Sequence, residues 1–432
     1  MIRRRLLSLT CGLFIVTTAA LAAQAPGGLS PALRTRVDAI AAELLPSAIE
    51  VRRDLHRNPE LGFREKRTAG IVADKLRALK FDEVRTEVGG TGVVGILKGG
   101  RPGPVVAVRA DMDALPLPEL NDVPYKSTVP NVKHACGHDG HTAIALGVAE
   151  IFSRLRLELP GTVVMLFQPA EEGDPDGGKT GALRVLEDWP FQNPAPAAIF
   201  GLHLVPMMRT GTVGVNSGSA MASSDRFNIT IQGKSTHGAM PHTGLDPIPI
   251  ASEVVLALQT IPSRQMSAQE PTVVSVGMIT GGARYNIIAD SVKMEGTVRS
   301  LSPTGPATVK DRMEKILKGV TSSYGATYTL NYAEGAPVTF NDPALAAAST
   351  SALVAALGKD KVLSPPPQMV AEDFAYYQKK IPGFYFFIGD GNPEKGITAM
   401  WHTEYYDIDE DALAVGMRAM ANVVLAFLNS RN

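Results

Sequence analysis

Three apolar runs constrain this chain more than anything else in it. Residues 104–109 contain Val-Val-Ala-Val, residues 162–168 contain Val-Val-Met-Leu-Phe, and residues 198–204 contain Ala-Ile-Phe-Gly-Leu. A strand with no polar face is buried on both sides, so these runs predict an α/β fold whose sheet is covered by helices. Each run also delivers polar side chains. Asp111 and Asp113 follow the first, Glu171 and Glu172 follow the second, and His203 lies in the third. The carboxyl ends of strands are where sheets of this kind place their sites.

Around these runs the pattern alternates. Residues 31–57 read as a helix interrupted near Pro46, and 65–80 as an amphipathic helix. Short strands are expected at 83–88 and 93–97, with Gly89, Gly90 and Gly92 between them. A helix is expected at 142–157, with apolar positions at Ile144, Val148, Ile151, Phe152 and Leu155. Between 219 and 337 the style changes. Residues 226–232 alternate as a half-exposed strand does, then come a helix at 246–261, strands at 272–279 and 292–298, a helix at 305–323 and a strand at 327–330. This βαββαβ order predicts a small antiparallel sheet with two helices on one face. We read it as an inserted α+β domain, 219–337, acting as lid or dimerisation unit. The catalytic domain is then 30–218 and 338–432, closing with a helix at 343–357, an aromatic strand at 384–388 and a helix at 410–428.

Residues 1–25 read as a signal peptide. Arg3, Arg4 and Arg5 precede an apolar segment over 6–21, and Ala22, Ala23 and Ala25 follow as cleavage candidates. The segment falls short of the roughly 20 residues a stable membrane span needs. Cys11 lies too early for a lipidation site. The expectation is a periplasmic or secreted protein with no stable membrane anchor. Its mature part keeps one cysteine, Cys136, and so has no internal disulfide. About 405 mature residues exceed one ordinary domain, and with 45% hydrophobic residues the chain can build a core without disulfides. A net charge of −1 gives no electrostatic footprint for nucleic acid.

Residues 134–141 read His-Ala-Cys-Gly-His-Asp-Gly-His and hold three of the chain's eight histidines. Thiolate, imidazole and carboxylate are borderline-soft metal ligands. A polar loop at a helix start would explain one of these histidines, but not Cys136, His138 and His141 together. Glu171 and Glu172 are adjacent carboxylates at a strand end. Their side chains diverge, so one can bind metal while the other faces a water.

The segments together resemble the M20 metallopeptidase family, in the amidohydrolase branch of hippurate hydrolases, auxin-conjugate hydrolases and aminoacylase-like carboxypeptidases. They are Arg109-Ala-Asp-Met-Asp-Ala-Leu-Pro116, the 134–141 motif, Phe167-Gln-Pro-Ala-Glu-Glu172, Gly201-Leu-His203, His237-Gly-Ala-Met-Pro-His242, Tyr285-Asn-Ile-Ile, Gly296-Thr-Val-Arg299, Ala371-Glu-Asp-Phe-Ala-Tyr-Tyr377 and His402. They stand in family order over residues 35–428.

The resemblance implies a zinc-peptidase-like catalytic domain with a mixed central sheet flanked by helices. It implies two divalent metal ions held by Cys136, His138, Glu172, His203 and His402. Zinc or manganese is expected, with cobalt and nickel as further choices. Glu171 would be the general base toward a metal-held water, and Asp113 would orient or polarise a ligand. His237 would stabilise the oxyanion, usually from the partner subunit of a homodimer formed through the inserted domain. Asn286 and Arg299 would bind the substrate's carboxylate, which a guanidinium grips in bidentate fashion. His134 and His141 would support the ligands from behind, and His56 reads as an ordinary surface histidine. Two departures bear on the pocket: a longer loop at 173–180, and Thr403-Glu-Tyr-Tyr after His402.

The expected function is hydrolysis of the amide in N-acyl or aminoacyl amino acids bearing a free carboxylate. A dipeptidase, a carboxypeptidase, or a carbamoyl- or amidine-hydrolase fits the same residues. A non-catalytic binding protein is opposed by the intact set of base and ligands.

Overall fold

The structure, a computed structural model, describes residues 29–431 apart from Pro190. The expected signal segment, with Arg3, Arg4, Arg5 and Cys11, lies outside the described residues.

Eight strands form the main sheet. Their order across it is Glu83–Val88, Gly92–Lys98, Pro160–Gln168, Arg101–Asp111, Ile199–Arg209, Gly383–Gly391, Val213–Gly214 and Val362–Leu363. The three apolar runs lie side by side at its centre. They are parallel to one another and to Gly383–Gly391, while the Glu83–Val88 side of the sheet is antiparallel. Asp111 pairs with Gln168, so the chain leaves these two strands at the same level, toward the same place.

The mixed sheet is covered on both faces, as the apolar runs predict. On one face the helices Pro31–Arg57, His138–Arg154 and Asp411–Ser430 pack on each other and on the strands. Ile151 and Phe152 are fully buried there, and each contributes roughly 1.5–3 kcal/mol by leaving water. A side chain at Gly147 would place its Cβ 2.1 Å from the Met417 sulfur, so the Met417 side chain would have to shift to admit one. The opposite face is closed by Gly181–Asp188 with Trp189, Phe191, Phe374 and Tyr377.

Two helices differ from expectation. Pro31–Arg57 is continuous through Pro46. Proline removes one backbone donor, but Ala42 and Pro46 both face solvent, so water can take the orphaned carbonyl. The buried stripe Val37, Ala41, Leu44, Ala48, Arg52 and Leu55 carries the helix past the gap. The helix expected at 142–157 begins earlier, at His138. Gly137, at φ 93°, turns the chain directly into it, and the acidic Asp139 suits its first turn.

A separate four-stranded antiparallel sheet has the order Thr272–Gly281, Ser291–Ser300, Asp225–Gln232, Thr327–Ala333. Helices Pro247–Leu258 and Gly305–Tyr324 cover one face through Phe227, Ile229, Val254, Val309, Met313 and Leu317. Among the described residues the other face has no helix of its own.

Candidate active site

The carboxyl ends of the central strands meet the start of helix His138–Arg154. Cys136, His138 and His203 bring their ligand atoms within 4.8 Å of one another, and so do Cys136, Glu172 and His402. Cys136 belongs to both groups. Its sulfur lies 3.5 Å from His203 Nε2, and His402 Nε2 lies 3.0 Å from Glu172 Oε1.

The free atoms of this set face inward. His203 Nδ1 donates to the Leu204 carbonyl at 2.6 Å, which leaves Nε2 with its lone pair. His138 Nδ1 donates to the Asp113 carbonyl at 3.0 Å. His138 Nε2 is buried with no hydrogen-bond partner. A buried ring nitrogen left unpartnered beside a thiol and a carboxylate is expensive on its own and is what a divalent cation, displacing any proton there, would satisfy. The donor set therefore fits a pair of such ions. His402 adopts φ 58°, a left-handed backbone that costs a non-glycine residue about 1–2 kcal/mol. It is held there by its own N–H on the Ala135 carbonyl at 2.8 Å.

Electrostatics follow the burial. Burial pushes the Cys136 thiol well up, helped by the charges of Glu172 and Glu171; a bound cation reverses that and yields thiolate. Burial pushes His203 well down, so its ring is neutral and could serve as a metal ligand. For His138 burial works against the charged ring, yet Asp111 and Asp113 raise it to about 10. Glu171 is pushed well up, first by burial and then by Glu372, Glu172 and Asp373.

Asp113 lies behind the ligands. Its Oδ1 accepts from the Glu171 N–H at 3.1 Å and its Oδ2 from the Glu172 N–H at 3.0 Å. Asp111 Oδ1 takes His141 Nδ1 at 2.7 Å, while His141 Nε2 accepts from the Leu204 N–H at 2.9 Å. His134 is buried beside His56, and burial pulls its pKa to about 4, so the ring is neutral.

His56 is not a surface residue. It is fully buried, with Nδ1 2.7 Å from Asp139 Oδ2 and Nε2 3.0 Å from Glu119 Oε1. Arg52, one turn earlier, donates to the same Asp139 oxygen at 2.8 Å. The polar residues Arg52 and His56 continue the buried stripe of their helix, and a hydrophobic pattern could not reveal that.

Sequence reasoning also gave no role to Glu372 and Asp373. Both are buried, and with Glu171 their carboxylates lie within 4.8 Å of one another. Arg109 neutralises them, donating to Glu372 at 2.8 Å, Asp373 at 2.9 Å and Asp111 at 2.6 Å. The adjacent carboxylates in Ala371-Glu-Asp-Phe were the available signal.

Cys136, Glu171, Glu172, His203 and His402 open into a cavity of about 720 Å³ that reaches the helix-free face of the inserted sheet, and Arg299 lines its far wall. Of the 173–180 loop only Thr180 lines it. His237 and Asn286 do not. They lie together on a separate two-stranded ribbon, where Ile287 pairs with His237 and the Gly238 N–H donates to the Asn286 carbonyl at 2.8 Å. His237 is exposed, and Asn286 Oδ1 is buried without a partner.

Comparison with known proteins agrees with this geometry. Residues 107–426 match the Peptidase family M20/M25/M40. An N-acetylcysteine deacetylase from Bacillus subtilis is 37% identical over 382 residues, covering 88% of this chain and 97% of that protein. Thermostable carboxypeptidase 2 from Saccharolobus solfataricus is 38% identical over 384 residues, covering 88% and 95%. The crystal structure of the Bacillus subtilis YXEP protein, a dinuclear metal binding peptidase from the M20 family, superposes with a TM-score of 0.77 at 35% identity, over 93% of this chain and 99% of that one.

Proposed function

Because this chain belongs to peptidase family M20/M25/M40, as a metal-dependent amidohydrolase or peptidase, we propose that it hydrolyses the amide bond of N-acyl amino acids with a free carboxylate. One observation carries the reading: Cys136, Glu172, His203 and His402 of the two overlapping ligand groups line a single cavity with Glu171 and Arg299. Cys136, His138, Glu172, His203 and His402 are the ligands. Zinc or manganese suits a set of one thiolate, three imidazoles and a carboxylate. Such ions, when bound, polarise a carbonyl and bring the pKa of water toward 7. Glu171 takes the proton from that water and returns it to the leaving amine. Arg299 anchors the substrate's carboxylate and so sets the scissile bond at the ligand end of the cavity.

The test is a substrate panel for the metal-loaded enzyme: hippurate and N-acetyl amino acids against unblocked dipeptides. Faster turnover of the acylated substrates supports the reading. Turnover of dipeptides alone would replace it with the dipeptidase or carboxypeptidase alternative, which the archaeal carboxypeptidase relative favours.

We also assign export and a homodimer to this protein. The basic head and Ala-rich end of the first 25 residues support export, and N-terminal sequencing of the mature protein should begin between residues 23 and 27. The dimer is supported by exposed apolar side chains at and beside the Thr272–Gly281 edge strand, namely Met278, Ile279, Tyr285 and Ile287.

A further inference from the structure

The cavity holds one more arginine than an amino acid's α-carboxylate requires. In the strand Asp225–Gln232, Phe227, Ile229 and Ile231 point at the helices, and Arg226 points the other way. Arg226 pairs with Thr297, and Arg299 lies two residues further along that neighbouring strand, so both arginines project from the helix-free face. Diagonal neighbours of this kind have Cβ atoms about 7 Å apart, within reach of long side chains. Both arginines line the cavity that holds Glu171 and the ligand residues.

Neither guanidinium is spoken for. Among the described residues no carboxylate lies at ion-pair distance from Arg226 or Arg299. Asp225 is the one acid whose charge reaches Arg299, and its oxygens are taken by the Tyr332 hydroxyl at 2.6 Å and the Gly335 N–H at 3.1 Å. Glu334 lines the same wall but is paired with neither arginine. The opposite end of the cavity carries Glu171, Glu172, Glu372 and Asp373. The arginine wall thus offers a substrate two unpaired guanidinium groups side by side.

We propose that Arg226 binds a second carboxylate, so that the preferred substrates are N-acyl derivatives of acidic amino acids, aspartate and glutamate. The inference rests on the N-acyl amino acid reading above and narrows it. Arg299 takes the α-carboxylate, and Arg226 takes the side-chain carboxylate beside it. A charge-assisted hydrogen bond of this kind is worth about tenfold or more in affinity.

The test compares isosteres. N-acetyl-glutamate should exceed N-acetyl-glutamine in kcat/KM by about tenfold. Arg226→Gln should bring that ratio close to one, mainly through KM, and Arg226→Lys should keep part of it. A wild-type enzyme that hydrolyses both amides with equal kcat/KM overturns the inference and leaves the parent function standing. Binding supplies an arm that needs no turnover. Calorimetry on the metal-loaded protein should show glutamate bound about tenfold more tightly than glutamine, with the difference lost in Arg226→Gln. Equal binding of the two overturns the inference even if no N-acyl substrate is cleaved, whereas a glutamate preference without cleavage supports it and removes only the parent reading.

Discussion

His138 is held from behind by Asp113. Its Nδ1 sits 3.0 Å from the Asp113 carbonyl and 3.2 Å from Asp113 Oδ1. That contact fixes the tautomer and leaves Nε2, buried and unpartnered, for a metal. The same carboxylate accepts the backbone N–H groups of Glu171 and Glu172, so one side chain positions a ligand from the helix start and the pair from the strand end. Asp113→Asn places an amide NH2 against one of those N–H donors. Metal affinity should fall about 10–100-fold, read by titration of the apo-protein. Unchanged affinity would mean that packing alone orients His138.

Cys136 contributes to both ligand groups, so its loss should be felt by both ions. In Cys136→Ser a hydroxyl replaces a far better ligand. Elemental analysis of the purified variant should find clearly less metal than in the wild type. Full occupancy would remove the thiolate from the coordination set.

Glu171→Gln keeps the side chain's shape and removes the proton acceptor. General base catalysis is worth about 10²–10⁴-fold, so kcat should fall by that much while metal content stays constant. The retained metal separates a lost base from a lost site. Near-normal turnover would pass the role to another group, with Glu372 and Asp373 beside it as candidates.

Much of this was legible in the residues. The three apolar runs, set among helical segments, pointed to strands of an α/β sheet covered on both faces. Polar residues past their ends marked where the chain converges. What stayed illegible was long-range and polar. Arg52 and His56 look like surface residues in any hydrophobic pattern, yet Asp139, 83 residues beyond His56, makes burying them feasible. Arg109 likewise depends on Glu372 and Asp373, more than 260 residues away. The role of Arg226 depends on which face of one strand meets the cavity, and alternation alone leaves that undecided.

Asp390 gives a pH prediction away from the ligands. It is buried, its Oδ2 accepts from the Tyr406 hydroxyl at 2.7 Å, and its Oδ1 has no partner. Burial raises its carboxyl from the ordinary 3.8 to about 8. Between those values the folded protein holds a proton that the unfolded chain has released. Stability from this group is full below 3.8 and is lost as pH rises toward 8. Asp390→Asn cannot ionise, so its Tm relative to wild type should climb steadily from pH 5 to pH 8. Parallel Tm curves would show that Asp390 does not carry the shift.

His237 carries the most demanding prediction. It is absent from the wall of the 720 Å³ cavity, although Arg299 of the same domain is there. Its Nδ1 accepts from the Ala239 N–H at 3.1 Å, which puts the proton on Nε2 and aims a donor at whatever faces this exposed ring. Asn286, its neighbour across the short ribbon, carries a buried oxygen without a partner. An exposed donor away from the cavity of its own chain fits a role in the cavity of a second copy. His237→Ala should then lower kcat by about 10²-fold or more, as loss of one oxyanion donor does, with metal content unchanged. Mixing His237→Ala protomers with Glu171→Gln protomers should restore part of the activity, because a mixed dimer holds one site with both groups intact. Absence of recovery after verified subunit exchange rejects action in trans. A fully active monomer rejects it too, and leaves His237 either acting in cis by domain closure or simply structural.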